Sequence, residues 1–410
     1  MLKKLGLEGW FSAHFAYGIV QIVFIPIMLP SFILARTGSA TQAGLAMGLF
    51  GLAGLFAPLI GILADKFKAH RLAQGLGLVS YLLAGAFFLV AGQAFIFMAI
   101  GSVLFGTGSA ILLMLNPVFI TFAGYDEKTE AMKLGRMAQT LIFGSLLAGV
   151  ALAAVTGMGW SYEARFIAMM VLVAVLLVVT MMTNKKAAQR IVDNAEMVAQ
   201  NNSDESAEKV SMTKVLFSNF GLFLLAVGLL CAGQGAFQAQ YPNLMENAYD
   251  VVQSMSAANL SIASVLGLFV LVGAEKYVTK FGALSLFKLS TVASIIVMAG
   301  LYFIAESGLS LGFIIPLGLV LIYLQGITVT DMISPAIAAR LTFVGGGFTQ
   351  GLMMFFISLG FGLGSVISGI AIDGWGWAAL PFAILALTIA AYICILIVGA
   401  KHKMTAKLEQ

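Results

Sequence analysis

One acidic residue and one histidine are placed well inside long apolar runs of this 410-residue chain: Asp331, late in its run, and His14, early in its own. Charge is costly in hydrocarbon, so ionisable groups kept there need a reason. The chemistry open to a carboxylate or an imidazole so placed is to take up and release a proton. A plainer alternative stands beside each. Asp331 is followed closely by Pro335 and Arg340, so it can be solvated or paired at a membrane surface, and His14 can bond a backbone carbonyl of its own helix. Neutral amides are more numerous in the apolar runs: Gln21, Asn116, Gln139, Gln234, Gln238, Asn259, Gln325 and Gln350. Gln234 and Gln238 share a helix face, as do Tyr17 and Gln21. Any one amide can simply hold two helices together.

The elements that carry these residues follow from composition. Hydrophobic residues make up 60% of the chain and charged residues only 10%, against about 25% in soluble domains. So much apolar surface calls for lipid as the outer solvent. Glycine is abundant (45) and proline scarce (8), which suits close helix packing. Cys231 and Cys394 both lie in apolar runs and imply neither a disulfide framework nor a metal cluster.

A span needs about 20 apolar residues. The sequence predicts twelve, numbered spans 1 to 12: 9–33, 42–64, 72–92, 94–122, 134–158, 161–184, 214–240, 251–275, 283–304, 309–333, 346–371 and 374–400. With the N-terminus inside, every Lys and Arg except Arg36 and Arg165 falls on inner segments. That bias predicts both termini in the cytoplasm. The net charge of +4 then reflects topology and calls for no nucleic-acid partner. Residues 185–213 form the longest polar segment; 185–199 suit a surface helix and 201–206 a disordered linker. The chain is therefore expected as a bundle over 1–184, a cytoplasmic linker over 185–213, and a second bundle over 214–410.

Between spans 2 and 3 stands Gly61-Ile62-Leu63-Ala64-Asp65-Lys66-Phe67-Lys68-Ala69-His70-Arg71. Gly-x-Leu-Ala-Asp-Lys followed by basic residues resembles the loop signature between helices 2 and 3 of the major facilitator superfamily. That family usually has Gly where Lys68 stands and Arg where Ala69 stands. A weaker copy, Ala274-Glu275-Lys276-Tyr277, follows one half-chain later. Gly135-x3-Gln139 is likewise answered by Gly346-x3-Gln350, and Gly108-x8-Pro117 by Gly326-x8-Pro335.

The resemblance implies an all-α membrane protein of twelve helices in two pseudo-symmetric six-helix bundles. It implies alternating access about a midplane site. It also implies that spans 1, 4, 7 and 10 line a central cavity, where Asp331 and His14 face each other and the amides form a binding chamber. The Tyr17, Phe24, Phe237 and Tyr241 rings can stack on a ligand there. Because no Lys or Arg stands in that chamber, a neutral, zwitterionic or amphipathic solute fits better than a phosphorylated one. The 2–3 loop would lie at the start of span 11, Gly345-Gly346-Gly347, whose helix N-terminus suits an anion. This makes Asp65, with Gly61, Lys66, Arg71 and Glu275, a gate, although a solvated turn is the plainer alternative.

Two departures weigh against a drug–proton antiporter: Ser102 stands where many proton-coupled members carry Arg, and span 5 has no proline. The expected function is proton-coupled uptake of a small organic solute, with proton-driven efflux of amphipathic compounds as the alternative. A membrane receptor or sensor belongs to another class, and no signalling domain supports it. The sequence shows no catalytic constellation, cofactor motif or nucleotide-binding loop. The expected setting is a bacterial inner membrane, and the expected state a monomer.

Overall fold

The computed structural model describes residues 8–201, 215–308, 311–342 and 346–408. Of the disordered linker expected over 201–206, residues 202–206 lie outside them, as does Gly345. Among the described residues eleven helices are long and apolar enough to cross a membrane; the remaining span runs through Ala40–Leu52, Ala53–Phe56 and Ala57–Lys66. Together these are the twelve helices of two six-helix bundles.

Polar caps mark where the apolar runs begin. Ser39, Asp126, Ser161 and Ser218 each accept a backbone N–H from the first turn of the helix they precede, covering donors that lipid cannot satisfy. Positive φ angles mark ends: Gly38 (67°) closes span 1, Asp250 (54°) closes span 7 and Gly308 (63°) closes span 9. Lys68 (51°) closes span 2, and the N–H of Ala69 reaches back to Ala64 O at 2.8 Å. The left-handed conformation at Lys68 is one that glycine adopts without cost, which fits the glycine that the family resemblance implies there. Lys185–Asn201 form the expected surface helix.

Span 1 is irregular. Its helix starts as Gly9–Phe11 and Ser12–Ile19, widens to a π-helix over Val20–Phe24, then continues as Ile25–Thr37. The π stretch falls directly before Pro26, which has no N–H to give and whose ring crowds the preceding turn. Spans 1 and 7 are the most enclosed; 78% and 72% of their most apolar stretches are buried, against 22% for span 6. Span 7 was expected to end near 240 but runs through Pro242 to Tyr249. Its polar last turns are held from other spans: Gln240 donates to Ala40 O at 2.8 Å and Tyr249 to Leu301 O at 2.9 Å.

Spans 2 and 11, 5 and 8, and 1 and 7 pack against each other across the two halves. Small residues permit the approach. A methyl on Gly44 would strike Ser365 O, and one on Gly48 would meet Gly362 O at 3.0 Å. Ser261 donates to Leu146 O at 3.2 Å. On the side opposite the termini, Asp373 at the end of span 11 accepts from the N–H groups of Ala40 and Thr41 and from the Ser39 hydroxyl, at 3.1, 2.8 and 3.1 Å. Arg165 donates to Gln253 at 3.0 Å, and Gln253 donates in turn to Ile27 O at 3.2 Å. Arg36 pairs with Glu163. The two cations that break the charge bias are thus both engaged.

Candidate functional site

The packing leaves a cavity of about 300 Å³ between the two halves, midway along spans 1, 7, 8 and 10. Span 1 contributes Tyr17 and Gln21, and span 7 contributes Gln234, Phe237, Gln238 and Tyr241. Span 10 contributes Thr328 and Asp331, and span 8 contributes Ser264. The i, i+4 pairs Tyr17/Gln21 and Gln234/Gln238 therefore both face the same space. Among the described residues no Lys, Arg or His lines it. Its size suits a small organic molecule.

Asp331 lines this space together with Tyr17, and with Cys231 and Tyr323 it lines a smaller space behind it. Among the described residues no side chain hydrogen-bonds or ion-pairs with its carboxylate. Phe237 and Tyr241 pack 4.9 Å apart, and Tyr323 lies edge-on to Phe237 at 5.0 Å. These rings form an aromatic wall.

His14 lies behind Tyr17, with the rings stacked at 5.7 Å. It ends a buried chain of polar groups. Arg71 Nε donates to Asn184 Oδ1 at 3.1 Å; Asn184 Nδ2 donates to Gln74 Oε1 at 3.1 Å; Gln74 Nε2 donates to Asn116 Oδ1 at 2.8 Å. Asn116 Nδ2 then meets His14 Nδ1 at 3.1 Å. A guanidinium can only donate, so Arg71 sets the direction of every amide after it. The chain leaves Nδ1 of His14 as an acceptor, with the ring proton on Nε2.

The other expected site residues sit elsewhere. Asn116 belongs to this chain rather than to the cavity wall. Asn259 donates to the Tyr241 hydroxyl and to Leu317 O, both at 3.3 Å, and so positions a cavity ring. Gln325 ties span 10 to span 8 through Ala263 O at 3.0 Å. Gln139 is exposed and accepts from Arg136 at 2.9 Å. Of the gate residues, Lys66 is exposed with its ammonium 5.7 Å from the Phe67 ring centre, Arg71 heads the amide chain, and Glu275 is exposed. The side chains of Gly61, Asp65 and Gln350 lie outside the described residues.

Sequence reasoning missed Gln74, Asn184 and Asp373.

A family model described as the Major Facilitator Superfamily matches residues 10–346. A search of curated proteins gives no match. Three solved structures are similar in fold. A mutant form of the nucleoside transporter NupG is 15% identical with a TM-score of 0.71, covering 95% of this chain and 98% of that one. The D-xylose-proton symporter is 14% identical with a TM-score of 0.68, covering 95% of each chain. The POT family transporter PepTSo is 13% identical with a TM-score of 0.74, covering 97% of this chain and 98% of that one.

Proposed function

The chain belongs to the major facilitator superfamily, and on that premise we propose that it is a secondary transporter taking up a small neutral, zwitterionic or amphipathic organic solute with a proton. The observation that carries this reading is the cavity between the halves, lined by amides and aromatic rings, with Asp331 the one charged group among its described lining residues. An unpaired carboxylate at a solute site is suited to carry the coupling proton. We assign that role to Asp331. His14, whose Nδ1 is taken by Asn116, is placed as a donor behind Tyr17. The solute contacts are Tyr17, Gln21, Gln234 and Gln238, with Asn259 fixing Tyr241.

Two proteins of similar fold, a nucleoside transporter and a D-xylose-proton symporter, are in keeping with a neutral polar solute and a proton. We take residues 1–184 and 214–410 as the two moving bundles, with both termini in the cytoplasm of a bacterial inner membrane. The closed side, sealed by Asp373, then faces outward. Asp65, with Gly61, Lys66, Arg71 and Glu275, would seal the opposite side in the other half of the cycle.

The test is uptake into proteoliposomes under an imposed pH gradient, screened over nucleosides, sugars, amino acids and amphipathic dyes. Accumulation with an inward proton gradient supports symport. Accumulation only with an outward gradient turns the reading to efflux. Binding without any movement of solute leaves a receptor.

A further inference from the structure

Asp331 faces a second space. Behind it, inside the C-terminal half, lies a chamber of about 20 Å³, room for one water molecule or an ion of that size. Six hydroxyls line it; one is the phenol of Tyr323, and each of the five on Ser and Thr gives its proton away. Thr291 donates to Phe287 O at 2.8 Å, Ser294 to Ser290 O at 3.1 Å, and Thr388 to Ile384 O at 2.7 Å. Thr330 donates to Ile327 O at 2.9 Å and Ser334 to Thr330 O at 2.6 Å. A hydroxyl has one proton and two lone pairs. With the proton spent on the helix backbone, each of these side chains turns only lone pairs toward the chamber. Thr291 and Thr388 are 1% and 2% exposed, so bulk water does not compensate them.

An ionised carboxylate and a ring of oxygen acceptors form a wall that attracts positive charge. Hard oxygen donors select a hard ion, and the single carboxylate balances a single charge. The chamber's size favours a small, dehydrated ion. We propose that this chamber is a sodium site, with Asp331, Thr291, Ser294, Thr330, Ser334 and Thr388 supplying its oxygens. The carboxylate is common to both spaces, so sodium and a proton compete for it. The site stands on the chamber's chemistry alone; its use in driving solute movement rests on the transporter reading.

The experiment is thermal unfolding of the purified full chain, without solute, in sodium, potassium or choline chloride at one ionic strength. Expected is a saturable rise of several degrees in melting temperature with sodium only, by mass action on the folded state. Ser294→Ala and Thr291→Val should reduce that rise while folding normally, and Asp331→Asn should abolish it. Equal melting in the three salts overturns the site, as does a sodium effect unchanged in both hydroxyl variants. Because no transport is read, a sodium-specific shift in a chain that moves no solute keeps the site and rejects the transporter reading. Solute uptake without a sodium-specific shift does the reverse.

Discussion

Asp373 accepts the backbone N–H of Thr41 at 2.8 Å, so one half of the molecule caps a helix of the other. Capping of this kind contributes about 1–2 kcal/mol, a five- to thirtyfold bias between two states. Asp373→Ala should therefore open the sealed side in a measurable fraction of molecules. Spin labels at the exposed Met158 and Phe313, one on each half, would report a longer distance in the variant. An unchanged distance distribution would show that the apolar packing alone holds the seal.

Two glycines separate conformation from folding. A side chain at Gly44 collides with Ser365 O across the halves, whereas one at Gly364 collides with Ala232 O within a single half. Gly44→Val should prop the sealed side open while keeping a folded, monodisperse protein. Gly364→Val should cost about 1–3 kcal/mol or more through overpacking and lower the melting temperature sharply. Size-exclusion and melting profiles of the pair distinguish the two effects.

The amide chain predicts a spectroscopic signature. Asn116→Asp can still accept from Gln74 but cannot donate to His14 Nδ1. The His14 ring proton should then move to Nδ1, seen as an exchange of its two nitrogen resonances in ¹⁵N-labelled protein. Asn116→Leu strands both neighbours and should destabilise the fold by about 1–3 kcal/mol per stranded group. A wild-type His14 with its proton on Nδ1 would refute the direction assigned to the chain.

Lys68→Gly should stabilise the protein. A left-handed L-residue costs about 1–2 kcal/mol, and Lys68 has φ 51°. A higher melting temperature than wild type is the expected outcome. A lower one would mean that the lysine's own interactions outweigh the backbone strain.

Asp331→Asn should abolish accumulation driven by a pH gradient and leave solute exchange in place, because the amide keeps the shape of the cavity wall while losing the proton. Counterflow and driven uptake, measured in the same vesicles, give the two readouts. Driven uptake equal to wild type would remove Asp331 from coupling.

The spans were legible because hydrocarbon demands about 20 apolar residues in a row, a local property of sequence. The end of span 7 was not. Gln240, Asn243, Glu246 and Asn247 lower its hydropathy, and what keeps that stretch helical is bonding to Ala40 and Leu301, far off in the chain. The cavity wall was partly legible, since Tyr17/Gln21 and Gln234/Gln238 carry helical spacing. The chain from Arg71 to His14 draws on spans 1, 3, 4 and the end of 6, and no periodicity within one span reveals it. Asp373 was missed because two of its three partners are the backbone N–H groups of Ala40 and Thr41, which leave no trace in residue type.

The π-helical turn at Val20–Phe24 divides span 1 into two shafts with a joint between them. The upper shaft is pinned, through Ile27 to Gln253 and through Arg36 to Glu163. The lower shaft carries Tyr17 toward the cavity and is tied by His14 to Asn116. Torsion at the joint can turn the lower shaft while the upper one keeps its contacts, so one end of a single helix can move against the cavity while the other end stays fixed to its neighbours.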